Sequence, residues 1–395
     1  MSLVLPQGFR AAGIAAGVKR DGGLDLALIV SDADCEAAAV FTTNAVKAAP
    51  VLYDQRLMQG GQPIRAVVIN SGCANACTGE QGLRDCEDTA ALVAQAVGCS
   101  PSSVFVMSTG VIGVPLPMDR LRQAIPLAAR ALSAEGLYAA AQAMMTTDTV
   151  PKMASDDLTV AEPGGIGRTA HFVGIAKGAG MIHPAMATML AVVMTDAMVS
   201  AETLRRALHK AVSYSFNRIS VDGDTSTNDT VLVVANGTSG VRPTPAELEI
   251  LLTSLCVDLA KQIVRDGEGA TKLITIEVSG ARSEAAAEAV GRAIARSPLV
   301  KTAFYGEDPN WGRILAAAGA AGEQIHLDAL SLRLGDLLVF AQGAPVACDQ
   351  AALASLFRDR EITVRLELGQ GKANATIWTC DLSHDYVTIN GRYRT

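Results

Sequence analysis

The stretch Gly174-Ile-Ala-Lys-Gly-Ala-Gly-Met-Ile-His-Pro-Ala-Met-Ala-Thr-Met-Leu190 lies near the middle of the 395-residue chain. A glycine-rich segment with one lysine passes through small residues into the apolar run 189–194, which predicts a loop that enters a buried strand. One hydroxyl group, that of Thr188, stands where the strand begins. A strand that fixes one side chain beside an open loop can present a nucleophile. By composition alone, an ordinary glycine-rich turn into a buried strand is the simpler interpretation.

Strands and helices alternate on both sides of this stretch. Apolar runs predict strands at 24–30, 37–42, 66–70, 103–107, 231–235, 273–278 and 361–367. Helical spacing predicts helices at 85–97, 119–132, 136–145, 245–263, 311–318 and 349–357, and further helices capped by Ser200 and Ser283. The helix at 245–263 is the most clearly marked, because Thr244 and Glu247 form a capping box. This alternation indicates a layered α/β protein, and 280–300 is the best candidate for a domain boundary.

Polar, turn-rich segments at 70–79, 108–113 and 215–230 follow or precede these strands, and hydroxyl groups gather at 146–149 after a helix. The segment 215–230 resembles a calcium-binding loop in composition. The EF-hand spacing requires a glutamate where this chain has Val233, so we exclude a calcium loop. The segment 70–79 is expected to face solvent or a site.

The composition favours a small-molecule partner. The net charge is -7 and 18% of residues are charged, which argues against a binder of nucleic acid or of anionic membranes. The first residues have no basic segment followed by an apolar core, and no apolar run reaches the roughly 18 residues of a membrane span. We therefore expect a cytoplasmic protein. The eight cysteines are scattered, so we expect reduced thiols and no metal site.

Several familiar catalytic motifs are absent from the sequence: a phosphate-binding P-loop, a Gly-x-Ser-x-Gly elbow and a His-Glu-x-x-His zinc site. The five histidines are scattered without a pattern. Hydroxyl chemistry then needs another base, and a threonine whose own free α-amine is the base is one known solution. This requires a cut before the threonine. The pair Ala187-Thr188 suits such a cut, because a small residue leaves its carbonyl open to the hydroxyl, and an α-amine with a pKa near ~7.7 to 8 can accept the proton.

The same region resembles the signature of a known family. The run from Lys177 to Leu190 is similar to the signature of the ornithine acetyltransferase (glutamate N-acetyltransferase) family of arginine biosynthesis. Further segments resemble that family in its order: 70–79, 108–113, 145–149, 215–230, 266–272, 306–313 and the tail through Thr395. The resemblance therefore covers essentially the whole chain.

The resemblance implies self-cleavage between Ala187 and Thr188. An α chain, 1–187, and a β chain, 188–395, would stay associated. Thr188 would carry the acetyl group, and Thr109 and Gly110 would form the oxyanion hole. The resemblance implies substrate binding by the following residues: Thr146 and Thr147, Lys177, Thr188, Glu268, Asn390 and Thr395. It leaves open which of the two adjacent threonines binds, and which end of the substrate the lysine and the glutamate each contact.

The implied reaction is a ping-pong transfer of the acetyl group from N-acetylornithine to glutamate through acetyl-Thr188. No cofactor or metal is implied, and acetyl-CoA as a second donor stays open. The implied fold is an αββα sandwich similar to N-terminal-nucleophile hydrolases with different connectivity, plus a smaller C-terminal α/β domain at about 285–395. The chains would assemble as an α2β2 heterotetramer or a larger complex, without nucleic acid or membrane.

Two other hypotheses compete with acetyl transfer. An amidase or aminopeptidase on the same scaffold would pass the acyl group to water instead of glutamate. A non-catalytic binding or scaffold protein would stay as one intact chain. The sequence also leaves open whether this chain serves arginine synthesis or a secondary pathway with a related substrate.

Overall fold

The computed structural model describes residues 3–160, 167–183 and 189–392. The predictions that fall on Ala187, Thr188 and Thr395 lie outside these described residues. Within the three ranges, no helix combines the length and the apolar run that a membrane span requires.

The chain up to Arg265 contains nine strands and six helices among its described residues. The strands are β1 (Phe9–Ile14), β2 (Leu26–Phe41), β3 (Ile64–Cys73), β4 (Val104–Val111), β5 (Lys152–Val160), β6 (Arg168–Lys177), β7 (Leu190–Thr195), β8 (Ile219–Ser220) and β9 (Thr230–Ala235). The helices are α1 (Ala49–Gln59), α2 (Gly79–Val97), α3 (Met118–Arg130), α4 (Leu137–Met144), α5 (Ala201–Ser213) and α6 (Pro245–Arg265).

The first sheet is organised around the 16-residue strand β2. Across the described residues, this sheet has eight strands in the order β4-β3-β2-β9-β7-β6-β5, with β1 also paired to β2. The first part of β2 pairs with β3, and residues 36–41 pair with β9. The register with β3 shifts between Val30 and Cys35, where the strand leaves one partner for the next. One strand therefore belongs to both halves of the sheet.

The two halves of this sheet share one apolar core. A single buried cluster joins side chains from both halves, among them Ile29, Ile69, Met107, Ile175, Val192 and Leu232. Helices α2 and α3 cover the outer face of the half that contains β3 and β4. Helices α5 and α6 cover the outer face of the half that contains β6, β7 and β9. The layers therefore follow the order helices, one half of the sheet, the other half of the sheet, helices. This order confirms the predicted layered α/β fold.

The predicted helix caps are present. The Thr244 hydroxyl accepts from the backbone N–H of Glu247, and the Glu247 carboxylate accepts from the backbone N–H of Thr244, so the capping box at the start of α6 is complete. Ser200 and Ser283 cap α5 and α7 (Glu284–Arg296) through their hydroxyl groups. Each cap satisfies backbone N–H groups that the first turn of a helix leaves unpaired.

The expectation of a loop at Gly174 was wrong. Residues 174–177 are the end of strand β6, which pairs with β7 from Phe172 to Lys177. A Cβ atom at Gly174 would lie 2.7 Å and 2.8 Å from the side chains of Leu255 and Leu259 on α6. The glycine thus allows the helix to approach the strand closely, and it does not mark a turn. The predicted buried strand at 189–194 is confirmed as β7, whose six residues are all buried.

Other boundaries also differ from the predictions, and helix α2 begins at Gly79 and not near residue 85. The expected separate strand at 37–42 is the second part of β2. The expected loops at 70–79 and 108–113 begin inside strands, because β3 and β4 continue in parallel pairing from Asn70 with Ser108 to Gly72 with Gly110. Backbone pairing does not require apolar side chains, so these polar strand ends lack the pattern of a strand.

The rest of the chain builds a second sheet with its own core. Its strands are β8 from the earlier part of the chain, β10 (Leu273–Ala281), β11 (Ser331–Leu334), β12 (Leu337–Ala341), β13 (Ala344–Pro345), β14 (Glu361–Glu367) and β15 (Ala373–Cys380). Its helices are α7, α8 (Pro298–Tyr305), α9 (Trp311–Gly319), α10 (Gln350–Leu356) and α11 (His384–Arg392). The strand order is β13-β12-β11-β14-β10-β15-β8, and α7 to α10 pack on it. The domain division at about 285 stays a prediction.

Candidate active site

A cleft lies at the ends of β4 and β6. Its lining comes from widely separated parts of the chain: Ala74, Thr109, Gly110, Ile112, Thr146, Thr147, Lys177, Gly180, Met181, Asp222, Asp224, Ser226, Thr227, Asn228, Glu268, Tyr386 and Asn390. Every predicted site residue within the described ranges belongs to this lining. The structure therefore brings together residues that the sequence separates by up to 281 positions (Thr109 to Asn390).

Thr109 and Gly110 lie at the end of β4, beside the end of β3. Gly110 has φ +131°, and a Cβ atom there would lie 2.4 Å from the backbone carbon of Gly72. Because that neighbour is main chain and cannot swing aside, a larger residue would push the two strands apart. The glycine thus allows the backbone of β4 to lie against that of β3 at the edge of the cleft.

Lys177 ends strand β6 and is buried, with only 3% of its surface exposed. Its Nζ donates a hydrogen bond to the Oγ1 of Thr109 at 3.3 Å. Burial lowers the pKa of Lys177, and the nearby charge of Asp148 opposes that shift. The residue is thus a partly desolvated cation in the cleft, and not a surface charge.

Asp148 accepts hydrogen bonds from two backbone N–H groups, one of them directly after Lys177, and sequence reasoning assigned no role to it. Its Oδ2 accepts from the N–H of Thr146 at 2.9 Å, and its Oδ1 accepts from the N–H of Gly178 at 2.7 Å. Burial alone would raise the pKa of this carboxyl, but the ammonium groups of Lys177 and Lys152 lower it to about 2. Asp148 thereby fixes the hydroxyl-bearing segment relative to the end of β6.

Lys152 connects Asp148 to a second carboxylate. Its side chain is fully buried, and its Nζ contacts Asp148 at 2.5 Å and also contacts Asp266. Asp266 in turn accepts from the backbone N–H of Thr149 at 2.9 Å. The sequence signal for this network was weak, since only the spacing of Asp148 and Lys152 is local.

Glu268 enters the cleft from the segment after α6. Its carboxylate accepts from the Nδ2 of Asn390 on α11 at 2.7 Å, and its backbone N–H donates to the carbonyl of Ala179 at 2.9 Å. The expected site residue Asn390 is therefore held by another expected site residue. It lies in a helix, where a frayed tail was the alternative interpretation.

The polar segment 215–230 forms one wall of the cleft. Buried Asn228 donates from its Nδ2 to the carbonyls of Ala74 at 2.7 Å and Ser108 at 2.8 Å. Asp222 accepts from the hydroxyl of Tyr386 at 3.3 Å, and burial raises the pKa of this aspartate. Sequence reasoning missed these residues, although their clustering of amides and acids was a visible signal.

The cleft offers hydroxyl groups, one buried ammonium group and three acidic side chains, those of Asp222, Asp224 and Glu268. Among the residues that the structure describes, no histidine lines the cleft. Nor do three or more His, Cys, Asp or Glu side chains of the described residues gather in a way that could hold a metal ion. Such a set of groups suits a small ligand that carries both charges.

Comparison with known proteins gives the family. Residues 10–395 match the model of the ArgJ family. The chain belongs to the ArgJ family. A member from Symbiobacterium thermophilum, named arginine biosynthesis bifunctional protein ArgJ, is 51% identical over 99% of this chain and 98% of that protein. The ArgJ protein of Geobacter sulfurreducens is 49% identical over 98% of this chain and 99% of that protein.

Two solved structures resemble parts of the chain. An ArgJ structure from Bacillus halodurans is 39% identical, with a TM-score of 0.49, over 51% of this chain and 98% of that one. A structure of ornithine acetyltransferase complexed with ornithine, from Mycobacterium tuberculosis, is 40% identical with a TM-score of 0.39. It covers 45% of this chain and 92% of that one.

Proposed function

We propose that this ArgJ-family chain transfers the acetyl group of N-acetylornithine to glutamate, which yields ornithine and N-acetylglutamate. Its full-length relatives bear the name of an arginine-biosynthesis protein, which supports this pathway. The observation that carries the proposal is the cleft itself. It gathers Thr109, Gly110, Lys177, Glu268 and Asn390 into one polar pocket that fits a charged amino acid derivative.

The proposed reaction has two halves. In the first, the hydroxyl of Thr188 attacks the acetyl carbonyl of N-acetylornithine, and the free α-amine of Thr188 takes the hydroxyl proton. Thr109 and Gly110 stabilise the oxyanion, and the tetrahedral intermediate collapses. The C–N bond breaks, the proton passes to the leaving amine, and ornithine departs from acetyl-Thr188. In the second half, the amine of glutamate attacks the ester carbonyl. The ester C–O bond breaks, and the amine's proton passes by way of the α-amine to the Thr188 oxygen, which restores the hydroxyl and releases N-acetylglutamate.

Substrate binding is assigned to the charged groups of the cleft. The buried ammonium group of Lys177 suits a carboxylate, and Glu268 suits an ammonium group. Thr146, Thr147, Asn390 and Thr395 would bind the remaining polar atoms. The side-chain amide of Asn390 already donates to the carboxylate of Glu268. A substrate that binds this carboxylate must therefore share it with the Asn390 amide or displace that amide.

The free α-amine requires that the precursor cut itself between Ala187 and Thr188. The architecture supports a stable cut product, because strands from both sides of the cut pair with each other. Strand β6 pairs with β7, and β2 pairs with β9. The chains 1–187 and 188–395 would therefore share one sheet and one core, and could separate only by unfolding. They would assemble as an α2β2 heterotetramer or a larger complex.

A second donor is a further part of the proposal. Relatives carry the word bifunctional in their names, which favours acetyl-CoA as an additional donor for glutamate acetylation. No other cofactor is needed, since the acetyl group passes directly between substrate and Thr188.

An acceptor assay tests the proposal against the amidase alternative. Purified protein receives N-acetylornithine or acetyl-CoA, with and without glutamate, and N-acetylglutamate and free acetate are both measured. We expect N-acetylglutamate from N-acetylornithine and little acetate when glutamate is present. Acetate release that is independent of glutamate would instead identify a hydrolase. No acyl release from either donor would favour a non-catalytic protein.

A further inference from the structure

The polar segment 215–230 does more than form a wall of the cleft. It contacts the chain on both sides of the proposed cut, and these contacts involve only described residues. Ile182 lies before the cut and Met189 lies after it. Each is held at both its N–H and its carbonyl group by this segment.

The contact before the cut centres on Asp222. Its Oδ1 accepts from the backbone N–H of Ile182 at 2.9 Å, and its Oδ2 accepts from the N–H of Met181 at 2.6 Å. The adjacent Val221 donates its N–H to the carbonyl of Ile182 at 2.8 Å. Both oxygens of Asp222 are therefore used, and Met181 is held in a left-handed conformation at φ +56°.

The contact after the cut repeats this pattern. The Oδ1 of Asp229 accepts from the backbone N–H of Met189 at 3.0 Å. The adjacent Thr230 donates its N–H to the carbonyl of Met189 at 3.1 Å. Asp229 is fully buried, and its Oδ2 has no hydrogen-bond partner among the described residues. Only one of its two oxygens is therefore needed for this contact.

The segment that makes both contacts is itself fixed on the first sheet. Asn228 donates to the carbonyl of Ser108, which directly precedes Thr109, and the Asp229 carbonyl accepts from the N–H of Thr42 at 2.9 Å. The two contacts are thus fixed relative to the proposed oxyanion hole. Only residues 183–188 separate the two held positions.

We propose that Asp222 and Asp229 are positioning residues for self-cleavage, which hold the chain on each side of the Ala187-Thr188 bond in register with Thr109 and Gly110. This inference rests on the proposed self-cleavage. The contacts fix the described residues Ile182 and Met189, between which the bond lies in the sequence. Fixing a nucleophile near its carbonyl in this way accelerates an intramolecular attack.

Time-resolved cleavage of the full-length chain tests the inference. Wild type and variants are made by cell-free synthesis with a labelled pulse, and the two cut products are followed on denaturing gels. The variants are Asp229→Ala, Asp229→Asn and Asp222→Asn. The matched control is Asp349→Ala, because Asp349 also accepts two backbone N–H groups, at 2.9 Å and 3.1 Å, but at the start of the distant helix α10.

We expect Asp229→Ala and Asp222→Asn to slow cleavage about tenfold or more, since each loses a hydrogen bond to the backbone. Asp229→Asn keeps the oxygen that Met189 needs and places its amide where Oδ2 has no partner, so it should cut within about threefold of wild type. Asp349→Ala should cut like wild type. A general loss of folding would not be rescued by the asparagine at 229, which separates positioning from stability.

Two results would overturn the inference while wild type still cuts. One is that both Asp229→Ala and Asp222→Asn cut themselves at the wild-type rate. The other is cleavage by Asp229→Asn that is as slow as that of Asp229→Ala, which would mean that the charge and not the hydrogen bond matters. A wild-type chain that stays intact would contradict self-cleavage itself, and the inference would fall with it.

Discussion

Glu268 shows how closely one cleft residue depends on its neighbours. Its carboxylate lies against Gly180, where an added Cβ atom would be 2.4 Å from the carboxyl carbon. On its other side it accepts from Asn390. Because the carboxylate ends a flexible side chain, a small change at Gly180 would move this group without disturbing the main chain.

We predict that Gly180→Ala weakens substrate binding and leaves stability nearly unchanged. The new methyl group would displace the Glu268 carboxylate, so KM for N-acetylornithine should rise about fivefold or more, a loss of roughly 1 kcal/mol. Steady-state kinetics and thermal unfolding measure the two effects. Gly319→Ala is the control, since nothing lies within 4 Å of a Cβ atom at that position. An unchanged KM would argue against a role for Glu268 in binding.

At the scale of elements, periodic apolar segments and capping residues were predictable. Strand β14 begins and ends at the predicted residues, 361 and 367, and the capping box at Thr244 marks the true start of α6. Strand β6 was missed, because Gly174 reads as a turn when the helix that packs on it is unknown. A glycine required for close packing and a glycine required for a turn look the same in one sequence.

The residues of the site also divide into those that the sequence predicts and those that it does not. Lys177, Glu268 and Asn390 were predicted from family-like segments, and they do line one cleft. Asp148 and Asp222 were not predicted, since their partners are backbone N–H groups whose position depends on the fold. A side chain that binds the main chain leaves no matching residue type to search for in the sequence.

We predict that Gly174→Ala lowers stability and leaves KM unchanged, the opposite of Gly180→Ala. The added methyl group would overlap with the buried side chains of Leu255 and Leu259, and such overpacking typically costs about 1 to 3 kcal/mol. Denaturant unfolding measures the free energy, and substrate kinetics serve as the internal check. A variant as stable as wild type would mean that α6 can move away from β6 without cost.

At the scale of the whole molecule, the pieces on either side of residue 187 are interwoven. Lys152 lies before this position and Asp266 lies after it, and the two are in contact in the interior. Together with Asp148 they form a buried network of one cation and two carboxylates. Removing one member of such a network leaves uncompensated charge in the interior.

We predict that Lys152→Met destabilises the protein by about 3 to 5 kcal/mol, because Asp148 and Asp266 would lose their shared cation. Lys210→Met is a matched control, since Lys210 lies on the surface, where it approaches Glu249 at 3.9 Å and contacts Tyr214, and its loss should cost under ~1 kcal/mol. Denaturant unfolding compares both with wild type. Equal stability of the two variants would show that the buried network contributes no more than a surface pair.

The most direct test of the central claim is an intact-mass measurement of protein incubated with N-acetylornithine and no glutamate. The account predicts two pieces, the second beginning at Thr188 and carrying one acetyl group that disappears when glutamate is added. Thr188→Ala should give a single uncut chain without an acetyl group. A wild-type chain that stays whole, or a second piece that never gains an acetyl group, would contradict the account.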